Sequence, residues 1–287
     1  MMLALASTAA AATLTVDCGA GGKLQTALNA AANGDTILVT GVCNEGVSVR
    51  DELTRLTIDG QGTATVHAPA GANSAIQVLG RNITIKGFTI TGGRGGIVVL
   101  RGGSALIDSN TIEECGNGIS VQQNGHARIV NNTIQSNATS GIAVQESSVA
   151  RIGYLDVAGP VMGNAIRNNA GPGVIVQRGS AATLTGNTIS DNDGPGVLVR
   201  GGAHADLAGN TIDGNGSDGL VITVNSDVQL GDQGGIFEPP NETTVPNGGV
   251  GLRCELNSTP AGSLGTLTGV NGDTKFDASC SNGPKIR

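Results

Sequence analysis

The chain has 287 residues, 47 of them glycine, about 1% aromatic residues and a formal net charge of -7. So few rings exclude an ordinary globular core built on Phe and Trp, and the negative balance gives no electrostatic footprint for DNA or RNA. No apolar run reaches the roughly 18 residues that suggest a transmembrane helix.

In chain order, the opening MMLALASTAAAATLTV reads as the apolar, small-residue end of a secretory signal over residues 1–12, although it lacks a basic leader. A buried first helix is the other reading. Five cysteines agree with export: Cys18 and Cys43 flank an N-terminal unit and Cys254 and Cys280 a C-terminal one, as two local disulfides would, with Cys115 left over. Between the first pair, KLQTALNAAANGD places Leu24, Ala27, Leu28 and Ala31 on one helical face and ends at Gly34. A short helix there plugs the open end of a stack. The chain then divides into an N-terminal cap (13–34), a repeat (35–250) and a C-terminal cap (251–287), all in one domain.

The repeat is the strongest signal. The glycine opening each G-apolar-x-Val run stands at Gly96, Gly118, Gly141, Gly173, Gly196 and Gly219, at steps of 22, 23, 32, 23 and 23 residues. A fixed period in this range means stacked supersecondary units. Within a unit the apolar residues alternate in three short bursts, as at Ile119 and Val121, Ala127 and Ile129, then Ile134, which predicts three half-buried strands. The inward set is Ile97, Val99, Ile107 and Ile112 in one unit, with their counterparts in the rest. Fourteen residues after the glycine stands Asn110, Asn132, Asn187 or Asn210, and nineteen after it Cys115, Asn137, Asn192 or Asn215; in the long unit, Asn164 and Asn169 take these places. Asn tolerates the left-handed conformation of a tight corner, and amides of coils stacked about 4.8 Å apart can form a hydrogen-bonded ladder. Cys115, on one rung, is then a buried and inert thiol.

The GNTI corners, together with LTIDGQGTATVHA and NITIKGFTITGG, resemble the right-handed parallel β-helix proteins of the pectate-lyase-like group over roughly residues 35–255. The resemblance implies an all-β, single-stranded right-handed parallel β-helix with three strands per coil, a short N-terminal capping helix and a disulfide-closed C-terminal cap. It implies little about activity, since that architecture hosts lyases, hydrolases, epimerases and adhesins.

In proteins of this fold the substrate groove usually follows the strand that opens each unit. Its outward and flanking polar positions here are Gln122, Gln145, Glu146, Gln177, Arg178 and Arg200. One carboxylate is too few for calcium or for a two-carboxylate hydrolase. The polygalacturonase and alginate epimerase motifs are missing. Three His and three Met form no copper cluster, and Asp191, Asp193, Asp213 and Asp218 read as solvated corner residues, with a stray calcium ion as the other reading. What remains is a metal-free lyase scheme with no cofactor, in which Arg178 or Arg200 neutralises a uronate carboxylate and His126 takes the proton. The bland reading pairs Arg178 with Glu146 on a solvated face. The two long units carry insertions, GYLDVAGPVMG around Tyr154 and GDQGGIFEPPNE around Phe237, three coils and therefore about 14 Å apart. They give a second candidate binding surface, or rings that fold down on neighbouring strands.

Together these readings predict an exported monomer, secreted or periplasmic, that binds or cleaves extracellular polysaccharide, with uronate polymers as the candidate class. A non-catalytic structural or adhesive surface module is the alternative.

Overall fold

The computed structural model describes residues 10–280 and Ile286, so most of the segment read as a secretory signal lies outside the described residues. The chain coils into an all-β parallel solenoid. Ten strands that open successive coils, from Val47–Val49 to Thr274–Phe276, form one continuous parallel sheet. The second and third strands of each coil form the other flanks. They count as a single sheet because two early strands, Thr57–Ala68 and Ile83–Gly92, run through both rows.

Register is uniform from coil to coil: Ile119 pairs with Ile97 and Ile142, and Ile134 with Ile112 and Ile166. Identical side chains therefore stack on identical side chains, and the predicted inward residues, from Ile97 to Ile212, are fully buried. The opening glycines are required by space rather than by backbone conformation. A Cβ on Gly118 would sit 2.6 Å from the Ile134 Cγ2 and 2.6 Å from the Gly141 carbonyl oxygen, closer than any real contact.

Both amide columns are present. Where one Asn follows another, its Oδ1 accepts from the backbone N–H and from the side-chain N–H of the preceding rung, as Asn132 does from Asn110 at 2.9 and 3.1 Å. The first column runs from Asn110 through Asn132, Asn164, Asn187 and Asn210 to Asn241, one rung beyond the reading from sequence. The second runs from Cys115 to Asn247. The left-handed residue at these corners is not the rung, as expected from sequence, but in most coils the residue before it, such as Ser109, Asn131, Ser136 and Asn168. The ladder positions hold Asn for its two donors and its acceptor. A further column, of serines at the first corner, joins Ser148 to Ser180 and Ser226 to Ser258.

The helix is Leu24–Ala30, with Leu24 and Leu28 fully buried on the end of the stack. It has no capping side chain of its own. The Glu45 carboxylate instead accepts from the N–H groups of Leu24 (2.8 Å) and Gln25 (3.3 Å), where the helix dipole also favours a negative charge. The Cys18–Cys43 disulfide, Cα–Cα 5.0 Å, closes this cap, and Cys254–Cys280, at 5.9 Å, lies near the C-terminus. Cys115 is free and buried. Among the described residues no helix is long and apolar enough to cross a membrane.

Candidate functional site

The strip along the opening strands is assembled as a row, but it is bonded to itself. Gln145 donates to the Gln122 Oε1, Gln177 to the Gln145 Oε1, and the Arg200 Nε to the Gln177 Oε1, each at 2.8 Å. Parity places these residues outside, yet Gln177 is only 9% exposed and Gln122 and Gln145 are half-buried. Alternation fixes the side on which a residue stands and not how far its stacked neighbours cover it. Each amide oxygen is already an acceptor within the row, so the strip offers a ligand mainly its spare N–H groups. Beside it, Arg178 pairs with Glu146 at 3.1 Å, with both side chains well exposed.

His126 is not on this face. It begins the strand His126–Val130 on the neighbouring flank, in register with Ser104 and Val149, and so stands on a different sheet from Arg200, while Arg178 lies at the bend after the opening strand Val174–Gln177. The fold therefore sets His126 and Arg200 on different flanks.

That flank carries an open groove of about 460 Å³. It crosses the strands Ser104–Asp108, His126–Val130 and Val149–Ile152, and Arg128 and Arg151, register partners on adjacent coils, point along it with His126. Asn82, Thr84 and Ser104 line one end, and Leu106 and Val149 supply apolar floor. The Arg128 side chain makes no hydrogen bond or ion pair among the described residues. Arg151 donates to the Leu155 carbonyl at 3.2 Å, and its guanidinium carbon lies 5.7 Å from the Tyr154 ring centre. The sequence did hold the signal: HARIV and VARIG place an arginine on the outward parity two residues after the strand start.

The two insertions meet. The Tyr154 and Phe237 ring centres are 5.4 Å apart, edge to face at 80°, not the 14 Å expected from coil spacing. Loops leave the repeat's spacing, and the second insertion leans back along the stack to reach the first. Tyr154 is 4% exposed, so its ring packs down as well as meeting its partner.

Beneath the second insertion His204 donates through Nδ1 to Asp227 and through Nε2 to Asp206, the latter at 3.1 Å. The two carboxylates raise its pKa to about 9 against the opposing effect of burial, and Asp206 is held below its ordinary value in return. With both nitrogens occupied, this imidazolium is a clamp between coils rather than a free acid or base. Asp218, expected to be solvated, is 3% exposed: it accepts from the Arg253 Nε at 2.6 Å and Nη2 at 2.9 Å. Among the described residues the one His/Cys/Asp/Glu group compact enough for a metal is Cys18, Cys43 and Glu45, whose thiols are spent in the disulfide.

The family model for the right-handed β-helix region matches residues 29–156 and 118–232. No curated protein matches the sequence. Among solved structures, the pectate lyase Pel9A is 12% identical and superposes with a TM-score of 0.58, covering 98% of this chain and 82% of that one. The A-module of mannuronan C-5 epimerase AlgE4 from Azotobacter vinelandii is 16% identical with a TM-score of 0.53, covering 92% of this chain and 94% of that one. ORF18 of Geobacillus virus E2 is 10% identical with a TM-score of 0.54, covering 94% and 62%. At these identities the likeness is one of fold.

Proposed function

This chain belongs to the right-handed β-helix family, and we propose that it is an exported protein that binds an acidic, uronate-containing polysaccharide along the flank groove. One observation carries the reading: in a chain of net charge -7, Arg128 and Arg151 stand on adjacent coils in an open groove with His126 beside them. A guanidinium recognises a carboxylate with two parallel donors, and a polymer of acid sugars offers carboxylates at repeated intervals. Two structural neighbours, a pectate lyase and a mannuronan epimerase, support the polymer class by analogy of fold. Two disulfides support an oxidising compartment.

The self-bonded glutamine row favours a second reading for the opening face, in which it stabilises the stack and binds nothing. Affinity electrophoresis in polygalacturonate, with a neutral glucan as control, separates the possibilities. Retention that is lost in Arg128→Ala/Arg151→Ala and kept in Arg178→Ala/Arg200→Ala places binding on the groove. The reverse pattern places it on the opening strip, and an unretarded parent protein leaves the structural module. Release of unsaturated product by the parent would add cleavage.

A further inference from the structure

We propose that the second insertion is a strap that orients Arg151 in the groove, with Tyr154 and Phe237 acting as positioning residues for anion recognition. The inference rests on the groove reading and concerns how that site is built.

Arg128 and Arg151 are the same residue in the same column of the same flank, one coil apart. Only Arg151 is held. Its guanidinium donates to Leu155 and lies over the Tyr154 ring, an arrangement that combines a hydrogen bond with attraction between a cation and a π face. Tyr154 follows directly on the Arg151 strand and is fixed from two sides. A backbone bridge ties it to Val161 within the first insertion, and the Phe237 ring packs edge-on against it.

Phe237 comes from three coils further on, in the short helical turn Gly235–Phe237. That turn is fastened to the stack at several points. The Gly231 N–H donates to the Leu207 carbonyl at 2.8 Å, while the bond from the Gln233 N–H to the Phe237 carbonyl, at 3.2 Å, closes the turn on itself. The Gly209 N–H donates to the Pro239 carbonyl at 2.8 Å. The Gln233 amide also donates to Asp206 at 3.4 Å. A continuous set of contacts therefore runs from the Asp206 coil through the strap and the two rings to the Arg151 guanidinium. A free arginine side chain has several rotatable bonds and loses that freedom on binding, whereas one already set over a ring loses less. The groove then has one fixed and one adaptable arginine.

The test combines an assigned spectrum of the arginine Nε–H groups with polygalacturonate binding. In Phe237→Ala the Arg151 resonance should move and broaden while that of Arg128 stays in place. Affinity should fall several-fold, and Phe237→Ala should add nothing in an Arg151→Ala background. Tyr154→Phe, which keeps the ring, should keep both the resonance and the affinity. An Arg151 resonance unmoved by loss of Phe237 overturns the strap, whatever the protein binds. If the resonance moves but neither Arg151→Ala nor Phe237→Ala changes binding, the strap stands as geometry and the groove reading fails. An equal loss of affinity from Phe237→Ala with and without Arg151 would make the effect general loosening and would also overturn the proposal.

Discussion

The backbone N–H of Cys115 donates to the Asn137 Oδ1 at 3.1 Å, so a thiol occupies a rung of an otherwise amide column. Its sulfur lies 3.2 Å from the Glu113 carbonyl oxygen and 3.8 Å from that of Ile90, groups that an amide would hydrogen-bond better. Gly96 leaves the same space beside Cys115 that Gly118 leaves beside Asn137. Cys115→Asn should therefore raise stability by about 1 kcal/mol, read as a higher urea midpoint at unchanged slope. Burial pushes the native thiol up to about 12, so it should resist alkylation at mildly alkaline pH until the chain unfolds. Rapid labelling of the folded protein would show that the rung opens.

Asn164 is the rung where the long unit could have broken the column. Its Oδ1 accepts from both nitrogens of Asn132, and its amide donates to Ile129 and Asn187. Asn164→Leu leaves the Asn132 backbone N–H without an acceptor in a dry interior, at roughly 1–3 kcal/mol, while the Ile129 carbonyl keeps the Gly153 N–H and the Asn187 Oδ1 keeps the backbone N–H of residue 164. Gln145→Ala, in the half-buried outer row, should cost far less. Denaturant melts of the two variants that came out equal would contradict the distinction between inner and outer ladders.

Asp218 and Arg253 tie the last coils together. Asp218→Ala would leave the 24%-exposed Arg253 guanidinium with its 3.7 Å ion pair to Glu255 and would strand the Val250 N–H, which donates to the lost carboxylate at 2.7 Å. The orphaned buried donor should cost about 1–3 kcal/mol. Asp193→Ala, at an exposed corner, should stay within about 0.5 kcal/mol of the parent. Differential scanning calorimetry decides between them.

The His204 clamp makes a pH prediction. Its folded pKa lies at about 9, above the ordinary histidine value of 6.5, chiefly through the hydrogen bond to Asp206. A raised pKa means that the folded state holds the proton more tightly, so the stabilisation is complete below pH 6.5 and is lost as pH rises through about 9. The side chain is 44% exposed, so solvent screens the effect and it should be modest. The melting temperature of the parent, relative to His204→Gln, should fall across that window. A difference that stays constant with pH would remove the clamp from the account.

How much of this was legible beforehand follows from what repeats. The burial of Ile129, the rungs at Asn132 and Asn137 and the helix face at Leu24 and Leu28 follow from positions recurring at a fixed interval or with a fixed parity, and the disulfides from cysteines that flank each end of the chain. Even the displaced rungs Asn164 and Asn169 could be found, because the insertion shifts both by the same nine residues. The site was less legible. Outward parity named Gln177 and Arg200 correctly as neighbours and said nothing of their bonding to each other. It also left His126 to be grouped with Arg200, which stands on a different sheet.

The sequence by itself determined the solenoid, its inward face and its amide columns, since a residue in a stacked coil meets its own counterpart one period away. Periodicity converts directly into contact there. Only the tertiary structure decided that Tyr154 touches Phe237, that Asp218 is buried against Arg253 and that Arg128 and Arg151 share a groove. Two of these depend on loops and chain ends, where no repeat fixes the spacing. The third depends on how the flanks curve and cover one another, and local alternation carries no information about that.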